Sequence, residues 1–131
     1  MKVLALDYGS ARTGVAVSDP TGTVARPVGV VEGAGSDDGL ARLAELVREH
    51  GAERVVVGKP LTMRGEAGEQ AAETEQFVSR LRETLSVPVE SFDERFTTDL
   101  AEQTPSDAPE DARAAAHLLS GYLTWASGAP A

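Results

Sequence analysis

Val3-Leu4-Ala5-Leu6-Asp7-Tyr8-Gly9-Ser10-Ala11-Arg12-Thr13-Gly14-Val15-Ala16-Val17-Ser18 is the stretch that sets the architecture. Val3 to Asp7 is a short apolar run that ends on a carboxylate, and Gly14 to Ser18 is a second run rich in Val. Two β-prone runs joined by a short Gly-bearing connection predict an antiparallel hairpin. Thr23 to Val31 predicts a third strand. Pro27 marks it as an edge or as an irregular step, because proline has no N–H to give to a ladder.

Downstream, Glu32 to Gly39 reads as a linker, with Asp37 or Asp38 expected to cap the next helix. Leu40, Leu43, Ala44 and Val47 fall at the spacing of one helical face, and Gly51 is the expected stop. Arg54 to Gly58 is a continuous apolar run, the pattern of a strand covered on both faces. Lys59 to Gly68 reads as a loop, followed by a helix burying Phe77, Val78, Leu81 and Leu85. Pro88 to Phe92 predicts a short strand and Thr104 to Pro109 a loop. Asp111 to Trp125 predicts a last helix with Ala115, Leu118, Leu119 and Tyr122 on its inner stripe.

The order β-β-β-α-β-α-β-α predicts an α/β fold: a mixed five-stranded sheet, three antiparallel strands then two parallel, with helices on both faces. At 131 residues the chain suits one domain over 1–131, with 127–131 as a frayed tail.

The chain has no cysteine, which excludes a disulfide scaffold, a thiolate metal site and a cysteine nucleophile. The apolar start is interrupted at Asp7, unlike a secretory segment, and no run is long enough to span a bilayer. A cytoplasmic location is the expectation. The formal net charge of −9 opposes non-specific nucleic-acid binding, which is driven by Lys and Arg. Ten of the 21 acidic residues, however, fall between Glu66 and Glu83 and between Asp99 and Asp111, whereas Arg12, Arg26, Lys59, Arg64 and Arg95 flank the segments assigned to a site.

Three carboxylates draw attention. Asp7 ends the first strand, Glu94 ends the last strand, and Asp111 opens the last helix. Singly, each has a plain structural explanation: a turn-forming Asp, a solvated charged triplet with Asp93 and Arg95, and a helix-capping acid. Together they are more telling, because the predicted topology lets all three converge. Converging carboxylates repel one another unless a cation lies among them. An all-oxygen set suits Mg²⁺ or Mn²⁺. Two such ions roughly 4 Å apart activate a water and stabilise the leaving oxygen of a phosphodiester. Gly9 would let backbone approach a phosphate, with simple hairpin chemistry as the equal alternative. Arg12, Lys59 and Arg95 are the cations placed to contact phosphates. His50 and His117 lack a serine partner or a metal-ligand spacing; His50 is expected near a helix end and His117 on a helix surface.

Leu4 to Asp19 resembles the opening motif of the YqgF-type family of RNase H-like proteins, which are also described as Holliday-junction-resolvase-like and as nucleases of precursor small-subunit ribosomal RNA. Val56-Val57-Gly58-Lys59-Pro60-Leu61 resembles its middle motif, and Phe92-Asp93-Glu94-Arg95-Phe96-Thr97-Thr98 its Asp-Glu-Arg motif. Glu110-Asp111-Ala112-Arg113-Ala114-Ala115-Ala116 resembles its closing motif. The resemblance implies an RNase H-like fold with the first strand central, and Asp7, Glu94 and Asp111 as catalytic, metal-binding acids. It implies a nuclease acting on structured RNA or branched DNA; monomer and homodimer both stay open. The approach to Asp111, Pro105 to Glu110, is acidic where the family usually carries Lys. Two other readings compete: a non-catalytic binding module of the same fold, and an actin-like or sugar-kinase-type nucleotide-binding enzyme. The second needs a further phosphate-binding hairpin that the sequence does not contain.

Overall fold

The computed structural model describes residues 1–59, 68–93 and 109–126. Five strands form one sheet: β1 (Val3–Asp7), β2 (Arg12–Ser18), β3 (Ala25–Glu32), β4 (Arg54–Lys59) and β5 (Val89–Asp93), in the spatial order β3-β2-β1-β4-β5. Three helices cover it: α1 (Asp37–His50), α2 (Glu69–Thr84) and α3 (Glu110–Ala126). β1 pairs antiparallel with β2 and parallel with β4, β2 pairs antiparallel with β3, and β4 pairs parallel with β5. This is the expected mixed sheet with the first strand at its centre.

Alternation along the strands builds two cores, because successive side chains point to opposite faces. Leu4, Leu6, Val15, Val55 and Val57 face Leu43, Val47, Phe77, Val78 and Leu81 of α1 and α2. Val3, Ala5, Ala16, Val56 and Phe92 face Ala115, Leu118, Leu119 and Tyr122 of α3. The inner stripe expected for α3 is therefore the one observed, with Ala112 added to it. Each of its large side chains contributes about 1.5–3 kcal/mol by leaving water.

Several element ends differ from the sequence reading for local reasons. Ser36, rather than Asp37 or Asp38, caps α1: its extended backbone lets the hydroxyl accept from the Gly39 amide at 3.0 Å. The two aspartates occupy the first turn instead, where the helix dipole favours them. Leu46 is buried on α1, and Ala44 is only half-buried. Gly51 ends the helix with φ of 64°, as its residue type allows. β3 starts at Ala25 and not at Thr23, because the Asp19 carboxylate takes the amides of Thr23 and Val24 at 2.7 and 2.8 Å and holds them in a turn. Pro27 lies on an edge strand, opposite Ala16, beside a register shift between Val15 and Ala16.

Candidate active site

β1 carries Asp7 at its carboxyl end. By strand alternation Asp7 shares a face with Val3 and Ala5, the face that α3 covers. The hairpin register places Asp7 directly opposite Gly14 of β2. Cα atoms opposed in an antiparallel pair lie about 4.5–5.5 Å apart, and the two residues present the same face.

Gly14 is where α3 meets the sheet. A Cβ built on it would lie 1.8 Å from the Asp111 carbonyl oxygen and 2.3 Å from the Asp111 carbonyl carbon. The first turn of α3 thus rests on bare strand backbone, one strand width from Asp7. The missing side chain lets the backbone of residue 111 close on Gly14, the residue opposite Asp7. No local pattern reports this contact. Gly14 reads as hairpin chemistry in the sequence, and only the packing of a helix from the far end of the chain gives it a second role.

The turn that follows Asp7 is fixed on both sides. Thr13 is fully buried, and its hydroxyl and the backbone of Gly9 meet at 3.4 Å across the hairpin connection. A Cβ on Gly9 would come within 2.5 Å of the Arg12 carbonyl oxygen, so the tight connection itself requires glycine there. Tyr8 stacks on Phe77 of α2 with ring centroids 4.2 Å apart, holding the residue after Asp7 to the opposite core.

Arg12 opens β2, two residues from Gly14 and on the same face. Its Nε lies 3.3 Å from an Asp111 carboxylate oxygen. Lys59 has a different setting. It shares the parity of Val55 and Val57, which places it on the α1/α2 side, and its Nζ is 2.9 Å from Glu75 of α2. It stands at the carboxyl edge of the sheet, where Lys59 of β4 is in register with Asp93 of β5. Glu94 and Arg95 lie outside the described residues. His50 ends α1 as expected. His117 is half-buried and not on the surface, with Nε2 shielded from solvent.

Among the described residues, no three His, Cys, Asp or Glu side chains come close enough to hold a metal ion. Of the three acids expected to hold a metal, Asp7 and Asp111 lie among the described residues. Both are hard oxygen ligands, and the Arg12 guanidinium lies against Asp111 as a cation does. Such a set fits a divalent ion of the Mg²⁺ class.

A sequence model of the RuvX family, described as Holliday junction resolvase, matches residues 1–124. The chain belongs to this family. A relative from Chloroflexus aggregans, named as a candidate pre-16S rRNA nuclease, is 44% identical over 130 residues, 92% of each chain. A relative of the same description from Syntrophomonas wolfei is 36% identical over 132 residues, 94% of each chain. Among solved structures, Thermus thermophilus RuvC in complex with a Holliday junction substrate superposes with a TM-score of 0.66 at 18% identity, over 98% of this chain and 96% of RuvC. That likeness shows the fold, which is RNase H-like. The strand order and the central β1 of this RuvX-family chain are those the opening motif implied.

Proposed function

We propose that this chain is a metal-dependent nuclease that hydrolyses phosphodiester bonds of structured nucleic acid, with precursor 16S ribosomal RNA as its first candidate substrate and branched DNA as its second. The observation that carries the reading is the docking of α3 on Gly14, which sets Asp111 beside the strand end that bears Asp7. Family membership and the names of the relatives support it. A cytoplasmic location follows from that substrate. None of the helices among the described residues is long and apolar enough to cross a membrane.

Asp7, Asp111 and Glu94 would hold the cation, Mg²⁺ or Mn²⁺, and a pair of ions is the arrangement we favour. A bound ion of this class lowers the pKa of a water and neutralises charge on a phosphoryl oxygen. The protein's own residues supply the rest. Asp7 stands at the end of the central strand, and Asp111 on a helix whose first turn packs closely against the bare backbone of Gly14. Gly9 lets the connection close tightly beside Asp7, and we assign its bare backbone to the approach of a phosphate. Arg12 and Arg95 are the phosphate contacts, and Lys59 joins them by leaving Glu75, since a half-exposed ion pair of this kind holds weakly.

Labelled precursor 16S rRNA and a four-way DNA junction, each incubated with Mg²⁺ or Mn²⁺, test the reading. The wild-type chain should cleave at least one of them, and Asp7→Asn and Asp111→Asn should each lower the rate on the order of 100-fold or more while staying folded. Equal cleavage by all three proteins refutes the site. Nucleic-acid binding without cleavage under every condition identifies a non-catalytic module of the same fold.

A further inference from the structure

Arg12 and Asp111 face one another from opposite ends of the sequence. Arg12 begins β2, and its parity with Gly14 turns its side chain toward the first turn of α3. Its Nε approaches Asp111 Oδ2 at 3.3 Å, and the arginine side chain is 65% exposed against 34% for the aspartate. The pairing therefore lies at the rim, open to solvent on the arginine side. It also lies in an acidic setting: Glu110 and Asp111 share the first turn of α3, and Asp7 sits one strand away. A cation beside Asp111 relieves that repulsion whether it is a guanidinium or a metal ion.

We propose that Arg12 is the built-in counter-ion of Asp111, that a divalent cation displaces it on binding, and that the released guanidinium then engages a substrate phosphate. The inference rests on the metal-dependent reading above and adds an order of events to it. Displacement is easy because an ion pair with so exposed a partner is weak. A divalent ion offers Asp111 twice the charge in direct contact. The guanidinium, once free, is anchored on the hairpin connection beside Asp7 and presents a planar fork suited to phosphate oxygens. A single side chain thus competes with the metal before loading and assists the substrate after it.

The competition gives effects of opposite sign, which a purely structural ion pair would not. Arg12→Gln should bind Mn²⁺ more tightly than wild type, on the order of 3- to 20-fold by calorimetry, because a positive charge has been taken from the vicinity of the ion. The same variant should bind a labelled RNA hairpin more weakly in Ca²⁺, with the slope of log K against log salt reduced by about one contact. Arg12→Lys should stay within a fewfold of wild type in both assays. The exposure of Arg12 makes all three proteins expected to fold, and matching circular dichroism and melting temperatures check this. Unchanged or weaker Mn²⁺ binding by Arg12→Gln overturns the proposal. If wild type binds Mn²⁺ and Asp7→Asn does not, that failure leaves the nuclease reading standing. If wild type binds no Mn²⁺ at all, both fall together.

Discussion

Gly14→Ala offers the most direct test of how the candidate site is assembled. The added Cβ would sit 1.8 Å from the Asp111 carbonyl oxygen, and its obstacles are all backbone: that oxygen, its carbon, and the Ala112 nitrogen at 3.0 Å. No side-chain rotation relieves such a contact, so the first turn of α3 must move. Restoring even a tight separation of about 3 Å requires a shift of roughly 1.2 Å, more for an ordinary van der Waals contact. Overpacking of this kind costs about 1–3 kcal/mol, which lowers the melting temperature of a domain this size by about 3–12 °C. The effect on catalysis should be larger, because a displacement near 1 Å at a reacting group costs on the order of 100-fold in rate. Val78→Ala supplies the control. Val78 is fully buried on α2, on the other side of the sheet, and its truncation costs a similar amount of stability without touching α3. Both variants would be assayed for precursor-RNA cleavage well below their melting temperatures. Gly14→Ala should be strongly impaired and Val78→Ala close to wild type. Wild-type cleavage by a folded Gly14→Ala protein would refute the role assigned to that contact, as would equal loss in Val78→Ala.

Two further expectations concern the scaffold. Tyr122 is buried on α3, and its hydroxyl donates to Glu90 and accepts from Arg54 at 3.2 Å. Burial, aided by the hydrogen bond to Glu90, raises its pKa above the ordinary value of 10.0. The native state therefore prefers the neutral phenol. That stabilisation is complete below pH 10 and is lost as pH climbs through the raised value. Chemical denaturation between pH 8 and 12 should show a steeper alkaline loss in wild type than in Tyr122→Phe. Ser36→Ala removes the α1 cap at the Gly39 amide and should cost about 1 kcal/mol, read as a lower denaturation midpoint with unchanged slope.

Much of the sheet was legible because its signals are local. The apolar run Val55–Val57 announces a strand covered on both faces, and the short Gly-bearing connection from Tyr8 to Ala11 announces a hairpin. The inner stripe of α3 repeats at helical spacing and is found where that spacing puts it. Capping was less legible, since Ser36, Asp37 and Asp38 all have the chemistry of a cap, and the backbone angles that choose among them depend on the loop before them. The candidate site divides along the same line. Asp7 at a strand end can be read from four preceding apolar residues. The seating of Asp111 on Gly14, about a hundred residues of chain apart, is a tertiary contact that no window contains. Lys59 shows the same limit from the other side. Its parity with Val55 and Val57 was readable, but not which helix would cover that face and offer Glu75 as a partner.

The central place of β1 has a consequence for how long the site persists. Val3, Leu4, Ala5 and Leu6 are almost wholly removed from solvent, with a hydrogen-bonded neighbour on each side and helices above and below. Amide protons in such a strand exchange with solvent only when the whole molecule opens, whereas termini and loops fray at little cost. Asp7 directly follows this stretch, so its backbone should keep its position through partial openings that leave the centre of the sheet closed.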